Sequence, residues 1–165
     1  MHDIFEDDQC ASPEGIQFDP LDESAIACFR CGLCCTYYRV FLSLEEAQRI
    51  SERTGLALDV FIEEYGSLHW YSQQDHLLRQ KDGACFFLEY LPGTKEARCQ
   101  IHPVRPTACR EWAPGLYRRE CQRGLAEYWN LTVTPFWQLQ GTEENIAKFN
   151  AFLRSLADED KKSTL

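Results

Sequence analysis

The 165-residue chain predicts a small single domain of the α+β class, organised around a cysteine-rich site. Three observations predict it. Helix signatures alternate with short extended stretches and with a turn dipeptide suited to an antiparallel hairpin. The length suits one domain, and an apolar fraction of 44% suffices for a core. Eight of the nine cysteines are massed: Cys28, Cys31, Cys34 and Cys35 inside CFRCGLCC, then Cys85, Cys99, Cys109 and Cys121.

Residues 1–24 come first. They carry eight acids (Asp3, Glu6, Asp7, Asp8, Glu14, Asp19, Asp22, Glu23) and no Lys or Arg, which predicts a solvated, disordered extension with Cys10 as a free thiol. Residues 25–128 are expected to form the cysteine-cluster domain, and residues 129–165 a strand and an amphipathic helix packed on it. After the cluster, Thr36 to Leu42 (TYYRVFL) is aromatic and β-branched and reads as extended. Ser43 followed by Glu46 is a capping-box signature that opens a helix to Thr54, with Gly55 as its stop. A second helix is expected over Asp59 to Tyr65, ending at Gly66.

Asp82-Gly83 between apolar runs predicts a hairpin of His76–Gln80 with Ala84–Glu89, placing Cys85 on its second strand. Arg98 to Ile101 reads as a further strand carrying Cys99. The pairs His102-Pro103 and Arg105-Pro106 predict a rigid, non-helical connection, because proline lacks an amide donor and restricts its predecessor. A helix follows within Leu116–Trp129, then a strand over Asn130–Gln140 interrupted at Pro135. Thr142 begins a last helix with Ile146, Phe149, Phe152, Leu153 and Leu156 on one face, and the final eight residues, DEDKKSTL, read as a frayed tail.

Charge and hydropathy exclude some functions. The net charge of -9 argues against nucleic acid, which needs clustered cations on one face. No apolar run reaches the roughly eighteen residues of a membrane span. The acidic N-terminus lacks the apolar region of a secretory signal, so the expectation is a cytoplasmic protein whose thiols stay reduced. In that compartment a cysteine cluster reads as a metal site before it reads as disulfides.

Thiolates are strong ligands for zinc and iron, and a CxxC spacing lets two sulfurs converge on one ion. Cys28, Cys31 and Cys34 have the spacing that begins a ferredoxin-type run, but Cys35 follows at once where three residues and Cys-Pro would be needed. Adjacent side chains diverge. Cys34 and Cys35 therefore point to two centres, to a bridging sulfur, or to one ligand with one spare. Between Lys95 and Arg123 seven cations face three acids, enough to offset thiolate charge. Arg105 and Arg110 are placed nearest sulfur, as donors of charge-assisted hydrogen bonds to the cofactor. His102 can ligate beside three thiolates or serve as an ordinary polar residue. Trp112, Trp129 and Trp137 are expected in the core.

Together CFRCGLCC, ACFFLE around Cys85, CQIHPVRPTACREW over residues 99–112 and RRECQRGL around Cys121 resemble the YkgJ-type cysteine-cluster family of zinc- or iron-chelating domains. The likeness spans roughly residues 25–128. It implies a small α+β metal-binding domain with the eight cysteines as its ligand set. His102 stands where an aromatic is common in that family, and Trp112-Ala113-Pro114 departs from its usual aromatic-proline ending. Three functions fit. The first is an iron–sulfur protein for electron transfer or for support of a partner enzyme. The others are a structural zinc adaptor and a metal delivery or storage protein. An independent enzyme is the weakest, since no GxGxxG, P-loop or HExxH occurs.

Overall fold

The computed structural model describes residues 24–69 and 72–163; the acidic leader and Cys10 lie outside them. In chain order the elements are α1 (Cys34–Tyr37), β1 (Phe41–Leu42), α2 (Leu44–Thr54), α3 (Leu58–Tyr65), β2 (Gly66–His69), β3 (Ser72–Leu78), β4 (Gln80–Lys81) and β5 (Ala84–Cys85). There follow β6 (Leu88–Tyr90), β7 (Ala97–Cys99), a 3-10 turn (His102–Val104), α4 (Thr107–Glu111), α5 (Arg119–Trp129), β8 (Thr132–Val133), β9 (Leu139–Gln140) and α6 (Glu143–Ser163). Helices mixed with small antiparallel sheets make this an α+β domain. Strands β1, β3 and β2 form one sheet in that order, and β4–β5, β6–β7 and β8–β9 pair two by two.

Local chemistry explains the best-formed elements. Ser43 Oγ accepts from Glu46 N–H at 3.2 Å while Ser43 N–H donates to Glu46 Oε2 at 3.0 Å, the reciprocal capping box that starts α2. Asp82 and Gly83 both take positive φ, 53° and 81°, the backbone that a two-residue hairpin needs. Thr142 caps α6 by accepting from Asn145 N–H.

The side chains pack into two cores. The first gathers Phe29, Leu116, Cys121, Leu125, Trp129, Leu131 and Phe149, from the start of the described chain, α5 and α6. The second gathers Leu42, Ala47, Ile50, Phe61, Leu78, Phe87 and Ile101, from α2, α3 and the strands beside them.

Several expectations are corrected. Thr36 and Tyr37 are helical, because Thr36 N–H and Tyr37 N–H both donate to Leu33 O and close a turn; the extended stretch shrinks to Phe41–Leu42. His76 to Leu78 do not pair across the Asp-Gly turn. They join β3 against Phe41–Leu42 and Gly66–Leu68, leaving the Asp-Gly hairpin only Gln80–Lys81 with Ala84–Cys85. The connection after Cys99 is a 3-10 turn and then α4, since proline at a first helical turn forfeits no internal bond. Residues 130–140 fold back as β8 and β9, with Pro135 in the turn. The tail expected to fray is helical to Ser163, and its Glu159 and Asp160 pair with Arg30. Trp129 is 7% exposed as expected of a core residue, but Trp137, at positive φ in the β8–β9 turn, is 39% exposed.

Candidate metal centre

Positive φ at Arg30 (49°) and Gly32 (76°) turns the chain sharply around Cys31 and delivers it into α1. Glycine is required at position 32 twice over. An L side chain disfavours that φ, and a Cβ there would stand 2.8 Å from the Cβ of Ala97. The loop thus packs directly on β7, the strand that carries Cys99, and Ala97 N–H donates to Arg30 O at 2.7 Å.

The short helix α1 touches both α5, which carries Cys121, and β5, which carries Cys85. Tyr38, at its end, donates its hydroxyl to the buried Glu120 of α5 at 2.7 Å. The Sγ atoms of Cys34 and Cys35 are 4.0 Å apart. Cys31 packs against the first core, in which Cys121 is buried, while Cys85 and Cys99 pack against the second. Helix α4, with Cys109, is held to α2 by Thr107 N–H donating to Glu46 Oε1 at 2.7 Å.

The thiols act on one another electrostatically. Burial pushes Cys31 up to about 12, and the neighbouring charges of Cys34, Cys121 and Cys28 add to it. Burial likewise pushes Cys121 to about 11, helped by Glu120, Cys28 and Cys34. Cys109 also reaches about 11, by burial and then by Cys85 and Cys99. Cys85 and Cys99 are raised by burial. Cys28 keeps solvent exposure as a residue, yet enough protein surrounds it that desolvation raises its thiol too. In the adjacent pair, the hydrogen bond from Cys35 holds Cys34 below the usual thiol range, and the same bond raises Cys35. Cys34 acts on all seven of the others.

All eight cysteines of the sequence cluster are free thiols, and each belongs to this network. They are gathered, not closed: among the described residues no three His, Cys, Asp or Glu side chains converge tightly enough to hold one ion as they stand. The donor set itself, thiols without a competing disulfide, suits zinc or iron.

Arg105 favours the thiolate form of Cys28, Cys99 and Cys109, and its Nε donates to His102 O. Arg110 donates to Thr107 Oγ1 at 3.0 Å. His102 is exposed, in the 3-10 turn. Two contributors escaped the sequence reading. Arg30 favours the Cys28 thiolate and bonds Glu96, Glu159 and Asp160; its place between Cys28 and Cys31 was the available signal. The other is Gly124, where a Cβ would meet Cys31 Sγ at 2.8 Å and Phe29 Cε2 at 3.0 Å.

Gly124 yields a prediction. Replacing an interior helical glycine by alanine ordinarily stabilises a protein, by about 1 kcal/mol. Here Gly124→Ala is expected to displace Cys31, lowering both metal content and the denaturant midpoint. A higher midpoint with unchanged metal would show that Cys31 does not seat on α5.

Comparison with known proteins follows this geometry. A family model described as "CxxCxxCC: Putative zinc- or iron-chelating domain" matches residues 27–124, a segment that holds all eight clustered cysteines. An Escherichia coli O157:H7 protein named "Uncharacterized protein YkgJ" is 30% identical over 105 residues, 61% of this chain and 90% of that relative. No solved structure matches the chain.

Proposed function

The chain belongs to the CxxCxxCC family of zinc- or iron-chelating domains, and from that premise we propose that this metal-binding protein carries an iron–sulfur cluster, for electron transfer or support of a partner enzyme. The observation that carries the reading is a set of eight free thiols gathered in the family-matched segment, none of them taken up by a disulfide. A sulfur-only donor set is what iron–sulfur clusters use. Cys28, Cys31, Cys34, Cys35, Cys85, Cys99, Cys109 and Cys121 would hold the metal. Arg105 and Arg30 would offset its negative charge, with Arg110 farther out on α4. The bound group would supply one-electron chemistry; the chain's own part is to bind it, to exclude water through the two cores and to balance its charge.

A partner has a surface to meet beside the thiols. Tyr37, Tyr38, Tyr117, Arg118, Arg119 and Glu120 line a cleft of about 380 Å³ next to α1, and all three tyrosines are exposed. Among the described residues no helix is long and apolar enough to cross a membrane. A cytoplasmic setting, in which these thiols stay reduced, completes the reading.

A specific observation favours a second reading, the structural zinc module: α1, α4, β5 and β7, which carry five of the cysteines, are too short to hold themselves together. Elemental analysis and a visible spectrum, on protein made in iron-replete cells and purified without oxygen, separate the two. Iron with acid-labile sulfide and broad absorption near ~400 nm supports the cluster. Colourless protein with tightly held zinc replaces it with the zinc module.

Either metal must displace protons, because thiols raised to about 11 or 12 are protonated at neutral pH. Adding zinc to stripped protein at pH 7 is expected to release about one proton for each raised thiol that becomes a ligand, about four for an ion held by four of them. Affinity therefore rises with pH and falls on acidification. A pH indicator in weak buffer reads the release; fewer than about two protons per ion would mean that the raised thiols are not the ligands.

A further inference from the structure

We propose that the cleft beside α1 is covered by the chain's own acidic leader, residues 1–23, so that a partner meeting the thiols there must first displace it. The proposal goes beyond metal binding and holds whichever metal the thiols take.

The first support is where the leader joins the fold. Leu116 N–H donates to Ser24 O at 2.7 Å, and Ala25 bridges Gly115 in the antiparallel sense. Leu116 immediately precedes Tyr117, Arg118, Arg119 and Glu120, which line the cleft. Glu23 is one peptide bond from Ser24 and Tyr117 one from Leu116, each step about 3.8 Å between Cα atoms. Such a tether holds a short segment at an effective concentration of the order of millimolar. A contact too weak to form between separate molecules is therefore made within one.

The second support is chemical complementarity. Among the described residues neither Arg118 nor Arg119 has a carboxylate partner. Arg118 Nε donates to Ala113 O, and Arg119 stands exposed. Glu120, the acid that lines the cleft, is buried and accepts from the Tyr38 hydroxyl. Helix α5 starts at the same place without a side-chain cap, so the positive end of its dipole adds to the two guanidinium groups. Beside these charges lie the exposed rings of Tyr37 and Tyr117, and Tyr117 meets Trp137 edge-on at 6.3 Å between centroids.

The leader offers the complement of both features. It carries eight of the chain's net nine negative charges. Its last stretch, IQFDPLDE, interleaves Ile16, Phe18 and Leu21 with Asp19, Asp22 and Glu23. Carboxylates accept charge-assisted hydrogen bonds from arginine, and the apolar side chains cover rings otherwise left to water.

The test is photo-crosslinking from position 18 of the full-length chain as purified, with Phe18→p-benzoylphenylalanine and mapping by mass spectrometry. Crosslinks are expected within one chain, to residues 37–38 and 117–119. Their yield should fall several-fold in about 1 M salt, where the Debye length is about 3 Å. It should fall likewise in Arg119→Glu, an exposed first position of α5 where an acid suits the helix. Should that variant fail to fold, Asp19→Asn, Asp22→Asn and Glu23→Gln together remove the charge from the other side. Adding Asp22→Lys and Glu23→Lys to Arg119→Glu should bring the crosslinks back. Crosslinks to another face, none within the chain, or a yield indifferent to these charges would overturn the proposal. So would crosslinks that join two copies, or that join the leader to a co-purifying protein. Metal content of the same samples reads the metal-binding reading separately.

Discussion

Stripping the metal with excess chelator under reducing conditions is expected to unfold the part of the chain that carries the cysteines, and returning metal should refold it. Helix α1 has four residues and α4 five, far below the length at which a helix holds itself in water. Strands β4 and β5 have two residues each and β6 and β7 three, so each pair is a hairpin fragment of marginal stability. A bound structural ion is worth on the order of 10 kcal/mol or more in small zinc domains. That is comparable to the whole stability of a typical domain, about 5–15 kcal/mol. Circular dichroism and a thermal melt before and after chelation would show it. An unchanged melting temperature after complete metal removal would mean that the two cores suffice, and that the metal is cargo instead of a fastening.

Phe149→Ala is expected to be the most damaging substitution away from the thiols, costing about 3–5 kcal/mol through the cavity it leaves. The ring is fully buried. It meets Phe29 edge-on at 5.4 Å between centroids and Trp129 at 5.2 Å. Such pairs add about 0.5–1.5 kcal/mol each beyond area burial. Phe149 lies past residue 124, where the family match ends, yet it supports Phe29, the neighbour of Cys28. The loss should therefore appear in metal retention as well as in the denaturant midpoint. The half-buried Leu153, replaced by alanine, serves as the milder comparison. A cost below about 1 kcal/mol for Phe149→Ala would show that the cavity collapses, or that α6 does not stand on this core.

What proved legible in the sequence is chemistry that acts over a few residues. Ser43 and Glu46 satisfy each other's backbone donors wherever the helix lies, and Asp82-Gly83 adopts its turn for local steric reasons. The cysteine-rich segment was legible as a family feature, and the family model matches residues 27–124, which hold all eight clustered cysteines. The split of Ala84–Glu89 into two strands was not legible, because it depends on partners: Cys85 pairs with Gln80, while Leu88 pairs with the distant Cys99. Nor was the helical end of α6, where Glu159 and Asp160 find Arg30 about 130 residues away.

By itself, then, the sequence determined the class of the domain, its strongest caps and turns, and which side chains are able to bind metal. Spacing and residue type state these without reference to the rest of the chain. Only the tertiary structure decided which thiols are neighbours. That depends on two hydrophobic cores closing on either side of a four-residue helix, and burial is a property of the whole fold. The same burial raises thiols such as Cys31 above their ordinary range, so that they keep their protons at neutral pH until a metal displaces them.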